Sequence, residues 1–286
     1  MNTERVGVTV LGVSAGSGKT SVCGHILRSL VDLGVPAGPF KAVAVVDPDD
    51  PAYPEVPVPL RGALHNCGAA RIRPRWWHNP VTVVPDRKDG HRGELYLCGV
   101  PAGDVPIRGQ DSVDLHRVSP RLQRECADAV QEALRRLGPG PLVIEGAGAV
   151  GELNPEHDLA NHLAPTAERL PVLLVVNAAR SGHVAALAGV RHLVAPELLR
   201  LVRGHVLNQV RDAEHGRAVA ERARRGSDIP LLATLPEALL PDGYDGTQER
   251  LQPVYDRGAR NLRRSGLLER LGLCRGVPGR EAVAAE

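Results

Sequence analysis

Apolar residues along this chain fall into two alternating kinds of run. Short continuous runs at Arg5–Val13, Val35–Val46, Pro141–Ile144, Leu170–Val176, Leu201–Leu207 and Ile229–Pro236 have the length and branched content of strands covered on both faces. Between them lie segments with helical spacing. Val22, Ile26, Leu30 and Leu33 mark a helix over Lys19–Leu33, and further helices are predicted over Arg117–Leu137, Gly182–Val194, Ala213–Arg225 and Thr247–Leu271. Strand and helix in strict alternation predict an α/β fold, a doubly wound, mostly parallel sheet with helices on both faces.

The alternation is interrupted once. DPDDPAYPEVPVP, from Asp47 to Pro59, carries four acids and five prolines and reads as a loop. Gly68–Trp77 is Arg-rich and reads as irregular, whereas Val81–Pro85 and Glu94–Val100 read as short strands, so the stretch up to residue 117 is expected to be an insertion. Residues 1–246 are read as one domain, with 247–286 as its C-terminal helix and a frayed tail from Gly276.

Composition narrows the function classes. The chain has 286 residues, 43% of them hydrophobic, enough for one sizeable α/β core. Thirty-five Lys and Arg against 33 Asp and Glu, with only 2% aromatic residues, provide neither the basic stripe nor the stacking surfaces of a nucleic-acid binder. No apolar run approaches the ~20 residues of a membrane span, and the N-terminus lacks the pattern of a secretory signal. The five cysteines form no CxxC pair, so reduced, structural thiols in a cytoplasmic protein are expected.

Candidate chemistry begins at the end of the first strand. Gly12-Val13-Ser14-Ala15-Gly16-Ser17-Gly18-Lys19-Thr20 joins a predicted strand to a predicted helix, the context of a phosphate-binding P-loop. Gly16 and Gly18 let backbone amides approach phosphate oxygens, the helix N-terminus adds positive potential, Lys19 reaches the outer phosphates, and the Thr20 hydroxyl is a magnesium ligand. Ser14, Ala15, Ser17 and Ser21 complete the expected nucleotide contacts. Gly12 precedes Gly18 by six residues, one more than in the common GxxxxGK loop. Position 14, which holds a signature lysine in partitioning ATPases of the Par and Min type, is serine.

Glu145 ends the PLVI strand before Gly146-Ala147-Gly148, where a hard cation needs a carboxylate; it is assigned to magnesium together with Thr20. Lys41, the only charge between Asp32 and Asp47, is placed to neutralise a transferring phosphoryl group or a substrate carboxylate. Asp47 is the candidate for a second metal acid, with Asp49 and Asp50 as alternatives. Catalytic roles therefore fall on Lys19, Lys41 and Glu145, with ATP and Mg as cofactors.

Assembled, these residues resemble the synthetase domain of cobyric acid synthase and, more broadly, the dethiobiotin synthetase superfamily of P-loop ligases. The resemblance is carried by GVSAGSGKT, PFKA, EGAGAVGELNPEHDLANHLA at Glu145–Ala164 and VRGHVLNQVRD at Val202–Asp212, with HNPVTVVPD at His78–Asp86 in support. It implies substrate-side roles for Lys41, Gly148, Asn154 and Asp158, adenine recognition by Asn208, and a homodimer. It also departs from the family. The acidic AspxAspArgGlyGly stretch appears as Asn177-Ala178-Ala179-Arg180-Ser181-Gly182, and no cysteine occupies a nucleophile elbow, so nitrogen is expected from ammonia or a separate glutaminase. The resulting expectation is a ligase that phosphorylates a small-molecule carboxylate for attack by ammonia or an amine. Carboxylation and ring closure of a diamine, and a nucleotide-dependent regulatory ATPase, are the alternatives.

Overall fold

A computed structural model describes residues 5–47, 49, 55–86, 88–89, 91–108, 112–113, 117–152, 155–237 and 248–274. Six strands, β1 (Gly7–Gly12), β2 (Gly38–Lys41), β8 (Leu142–Glu145), β9 (Val172–Asn177), β10 (Val202–Val210) and β11 (Leu231–Pro236), form one sheet in the order β11-β10-β9-β1-β8-β2. Every pairing in it is parallel. The doubly wound fold predicted from the alternation of runs is the fold observed.

The continuous apolar runs divide between two faces because side chains alternate along a strand. Val8, Val10, Val143, Leu173, Val175 and Val206 pack on α1 (Lys19–Asp32), α8 (Gln248–Arg264) and α9 (Leu267–Arg270). On the opposite face, Leu142 and Ile144 pack under α3 (Pro120–Arg136) and Ala164 of α4 (Ala164–Glu168). Leu11, Leu174, Val176 and Leu207 lie under α5 (His183–Leu193), Leu198 of α6 (Pro196–Leu199), and α7 (Ala213–Gly226). Helix starts follow local chemistry. Ser119 accepts from the Leu122 amide with Pro120 in the first turn, and Asp212 accepts from the His215 amide at 2.8 Å.

The structure corrects the reading of residues 35–113. Val35–Val46 is two strands: β2 ends at Lys41, and after Ala42 the chain enters a second sheet as β3 (Val43–Val45). The expected insertion supplies the rest of that sheet, β4 (Val81–Pro85), β5 (Arg92–Leu97), β6 (Val100–Arg108) and β7 (Ser112–Val113), in sequential order. Glu94–Val100 is therefore a strand, a turn and the start of another strand. The turn is Cys98-Gly99, both at positive φ (52° and 82°), as a two-residue hairpin requires. Pro101, Gly103 and Pro106 hide β6 from any reading by propensity. The stretch Gly68–Trp77, read as irregular, begins inside a six-residue helix α2 (Leu64–Ala69) and runs into a 3-10 turn at Trp76–His78. The predicted C-terminal helix breaks at Gly266 (φ 68°) into α8 and α9. Among the described residues no helix is long and apolar enough to cross a membrane.

Helices α1 and α8 meet at close range because Gly258 has no side chain: a Cβ there would lie 2.0 Å from the buried ring of His25. Gly258→Ala should therefore cost about 1–3 kcal/mol by overpacking, read as a lower midpoint in chemical denaturation. Burial holds the imidazoles of His25, His78 and His205 neutral, with pKa values of about 4 against an ordinary 6.5. The unfolded chain thus takes up these protons first as pH falls, and melting temperature should decline between pH 6.5 and 4.

Candidate functional site

Three adjacent strands deliver the candidate residues to one edge of the sheet. β8 lies between β1 and β2, with Val10 opposite Glu145 on one side and Lys41 opposite Glu145 on the other. The glycine loop leaves β1 at the same level. At this carboxyl edge a cavity of about 270 Å³ is lined by Ala15 to Thr20, Lys41, Val43 to Val45, and Glu145 to Gly148. A wider groove of about 480 Å³ between β11 and the C-terminal helices is lined by Arg264, Arg270, Asn261 and Ser265, with no acid among the described residues. The chemistry is concentrated in the smaller cavity.

Glu145 is the centre of this arrangement. Its side chain is 2% exposed, and its Oε1 accepts from the Thr20 hydroxyl at 2.6 Å and from Lys41 Nζ at 3.1 Å. Asn66 Nδ2 donates to Oε2 at 2.5 Å. Burial acts to raise the carboxyl pKa, but Lys41, the Thr20 hydroxyl and the charge of Lys19 outweigh it and hold Glu145 below its ordinary value. The ion is stable in a dry site because donors surround it. Lys19 Nζ donates to the Gly148 carbonyl at 2.6 Å, so both lysines and the carboxylate face one volume.

The phosphate loop owes its path to positive-φ glycines and to amides behind it. Gly16 (φ 67°) and Gly18 (φ 89°) adopt left-handed conformations; a Cβ on Gly18 would lie 2.2 Å from Asn208 Nδ2 and one on Gly16 2.7 Å from Arg180. Asn208, buried at the end of β10, donates to the Ser17 carbonyl at 3.3 Å. Asn177 Nδ2 donates to the Gly16 carbonyl at 3.0 Å. Ser14 lies 2.7 Å from a ring nitrogen of His183. Gly18 caps α1 without a side-chain acceptor, and Ser17 Oγ is buried without a hydrogen-bond partner among the described residues. These open donors fit an anion.

Other sequence-predicted positions are placed as follows. Ser21 continues α1 one residue beyond Thr20. Gly148 (φ 59°) lines the cavity, and Asp158 lies behind it: its carboxylate accepts from the Asn161 amide at 2.8 Å and from Asn161 Nδ2 at 3.1 Å. Asn161 in turn donates to the Ala147 carbonyl at 2.6 Å, so the pair braces the loop after Glu145. Asp47 is exposed, accepts from the Asp49 amide at 2.9 Å and does not line the cavity. Asp50 and Asn154 fall outside the described residues. Asn66 and His183 were not singled out from the sequence, and Asn161 and Asn177 stood out only as members of the stretches that carry or break the resemblance. Asn177 had a signal: it stands where the resemblance expects an acid, and an amide can donate to the Gly16 carbonyl where a carboxylate cannot.

Ionised Glu145 contributes stability above its unfolded pKa, and that contribution is lost as pH falls through the lowered native value. Lys41→Met removes the cation that most opposes the effect of burial, so the carboxyl pKa rises. The melting temperature of the variant should fall below that of the unsubstituted chain at neutral and alkaline pH, where Glu145 is ionised, and the difference should shrink as pH falls and the carboxyl is protonated.

No protein-family model matches the chain. Among curated proteins it is 28% identical over 234 residues to the probable cobyric acid synthase of Methanoculleus marisnigri, covering 81% of this chain and 46% of that protein. It is 30% identical over 234 residues to the cobyric acid synthase of Deinococcus radiodurans, covering 79% and 47%. The chain spans about half the length of the curated relatives it matches. Among solved structures, the Cyanothece McdA complex with ATP aligns at TM-score 0.48 and 13% identity over 95% of this chain and 98% of that one. Cobyrinic acid a,c-diamide synthase from Mycobacterium smegmatis with bound ADP and magnesium aligns at TM-score 0.42 and 17% identity over 92% and 95%. In sequence, this chain is a relative of the N-terminal part of cobyric acid synthase.

Proposed function

We propose that the chain binds ATP with magnesium and phosphorylates a carboxylate of a small molecule, which ammonia or an amine then converts to an amide. The observation that carries this reading is the buried Glu145 carboxylate, tied at once to Thr20 of the phosphate-loop helix and to Lys41 at the end of the neighbouring strand. A site that only bound nucleotide would need the loop; a second cation on the far side of the acid suits transfer to an anionic acceptor.

The residues fit the expected ligands. The uncapped start of α1, the amides around Gly16 and Gly18, and the unpartnered Ser17 hydroxyl would receive phosphate oxygens. Thr20 and Glu145 are the oxygen donors for magnesium, which when bound neutralises phosphate charge. Among the described residues no cluster of three His, Cys, Asp or Glu side chains could hold a metal alone, as suits an ion that also takes phosphate and water ligands. Lys19 and Lys41 stabilise charge on the transferring group, and the rigid carboxyl edge of the sheet orients acceptor and donor. The acceptor oxygen attacks phosphorus as ADP departs; nitrogen then adds to the activated carbonyl, losing a proton, and phosphate leaves.

By resemblance, Gly148 and Asn154 serve the acceptor and Asn208 the base; Asp158, given the same role by resemblance, is engaged with Asn161, and the hydrogen bond from Asn208 to Ser17 adds a bracing role to Asn208. Ser14 in place of a signature lysine disfavours a partitioning switch. The reading includes a homodimer, which light scattering tests.

ADP release should require a carboxylate acceptor and ammonium together, and should not depend on bicarbonate. Lys19→Ala should lower turnover by at least about 100-fold, the scale for removing a charge-stabilising donor, and chelation of magnesium should abolish it. ADP release supported by bicarbonate with a diamine, without ammonium, would overturn the amide-forming assignment.

A further inference from the structure

We propose that Asn66 is the positioning residue for Glu145, fixing from the short helix α2 which carboxylate oxygen is held within the protein and which is left on the phosphate-loop side. This rests on the magnesium-nucleotide reading of the site.

Glu145 has partners on both oxygens, and they differ in kind. Oε1 meets Thr20 and Lys41, both of which line the cavity. Oε2 accepts from Asn66 Nδ2 at 2.5 Å, and Asn66 is 1% exposed and does not line the cavity. The amide orientation has a physical cause: turning it over would set Oδ1 against an ionised carboxylate. Asn66 keeps Nδ2 on Glu145 although its Oδ1 is then buried with no hydrogen-bond partner among the described residues. A buried acceptor is left unsatisfied for the sake of this one contact, which identifies the contact as the reason for an amide at this position.

Helix α2 is itself held from behind. Fully buried Arg28 donates to the Ala69 carbonyl at 2.9 Å and the Gly68 carbonyl at 3.3 Å, closing the C-terminal end of α2. Its guanidinium also donates to Asp256 at 2.5 Å and to Gln252, both on α8. Asn66 therefore reaches Glu145 from an element anchored to α1 and α8, and the carboxylate plane is set by three elements, α1, β2 and α2. Ligands held by such outer partners typically lose 10–100-fold in metal affinity when the partner is removed.

The test is isothermal titration with ADP, in magnesium and in chelator, on the unsubstituted chain, Asn66→Ala and Asn66→Leu; the leucine keeps the side-chain volume. The inference expects folded variants whose ADP affinity in chelator is unchanged while the enhancement by magnesium falls about 10-fold or more. An enhancement undiminished in either variant overturns this inference alone. Equal losses with and without magnesium, or failure of both variants to fold, assign Asn66 to the fold and also overturn it. Absence of any magnesium enhancement in the unsubstituted chain overturns the underlying site reading, and the inference with it.

Discussion

A single buried carboxylate organises the functional edge of this protein. Glu145 ends the strand between the one that feeds the phosphate loop and the one that ends in Lys41. An isolated charge there would be expelled or neutralised by the cost of burial. It persists as an ion because Thr20, Lys41 and Asn66 surround it within hydrogen-bonding distance and Lys19 adds charge nearby. Each of those donors comes from a different position in the chain, so the requirement to satisfy one anion ties α1, β2, α2 and β8 into a fixed relation.

The same logic, with amides in place of charges, governs the phosphate loop. Its glycines take conformations that turn backbone carbonyls toward β9 and β10, where Asn177 and Asn208 receive them. Side chains at Gly16 or Gly18 would collide with Arg180 or Asn208, so the absence of a Cβ is a packing condition as much as a conformational one. Behind Glu145, Asp158 and Asn161 brace the Ala147 carbonyl in the same manner. Around the cavity the Glu145 carboxylate and the Nδ2 groups of Asn177 and Asn208 are engaged, while Ser17 Oγ and the start of α1 are left open to an anion. Preorganisation of this kind is what charge-stabilising catalysis requires.

Much of this was legible in the residues. The parallel sheet follows from continuous apolar runs, because strands covered on both faces leave no polar alternation to misread. The loop from Gly12 to Thr20 and Glu145 before a glycine-rich turn announce themselves by type and spacing, and the structure puts them beside one cavity with Lys41. Less legible was the second sheet. β6 contains two prolines and a glycine, and its hairpin turn uses Cys98 at positive φ, so local propensity argues against elements that tertiary pairing with β5 nevertheless stabilises. Val35–Val46 is uniform in character yet divides at Ala42, since where a strand changes sheets is decided by its partners.

What the sequence by itself determined was the chemistry at short range: which strands are buried, where an anion can meet a helix start, and which acid and lysines are candidates. Only the tertiary structure decided which of these meet. It brought Asn66 to Glu145 across 79 positions and Asn177 to Gly16 across 161, directed Asp158 to Asn161 rather than to the cavity, and left Asp47 exposed. The physical reason is that a buried polar group must find a partner in space, and the partner's identity depends on strand order and helix packing that no local pattern encodes.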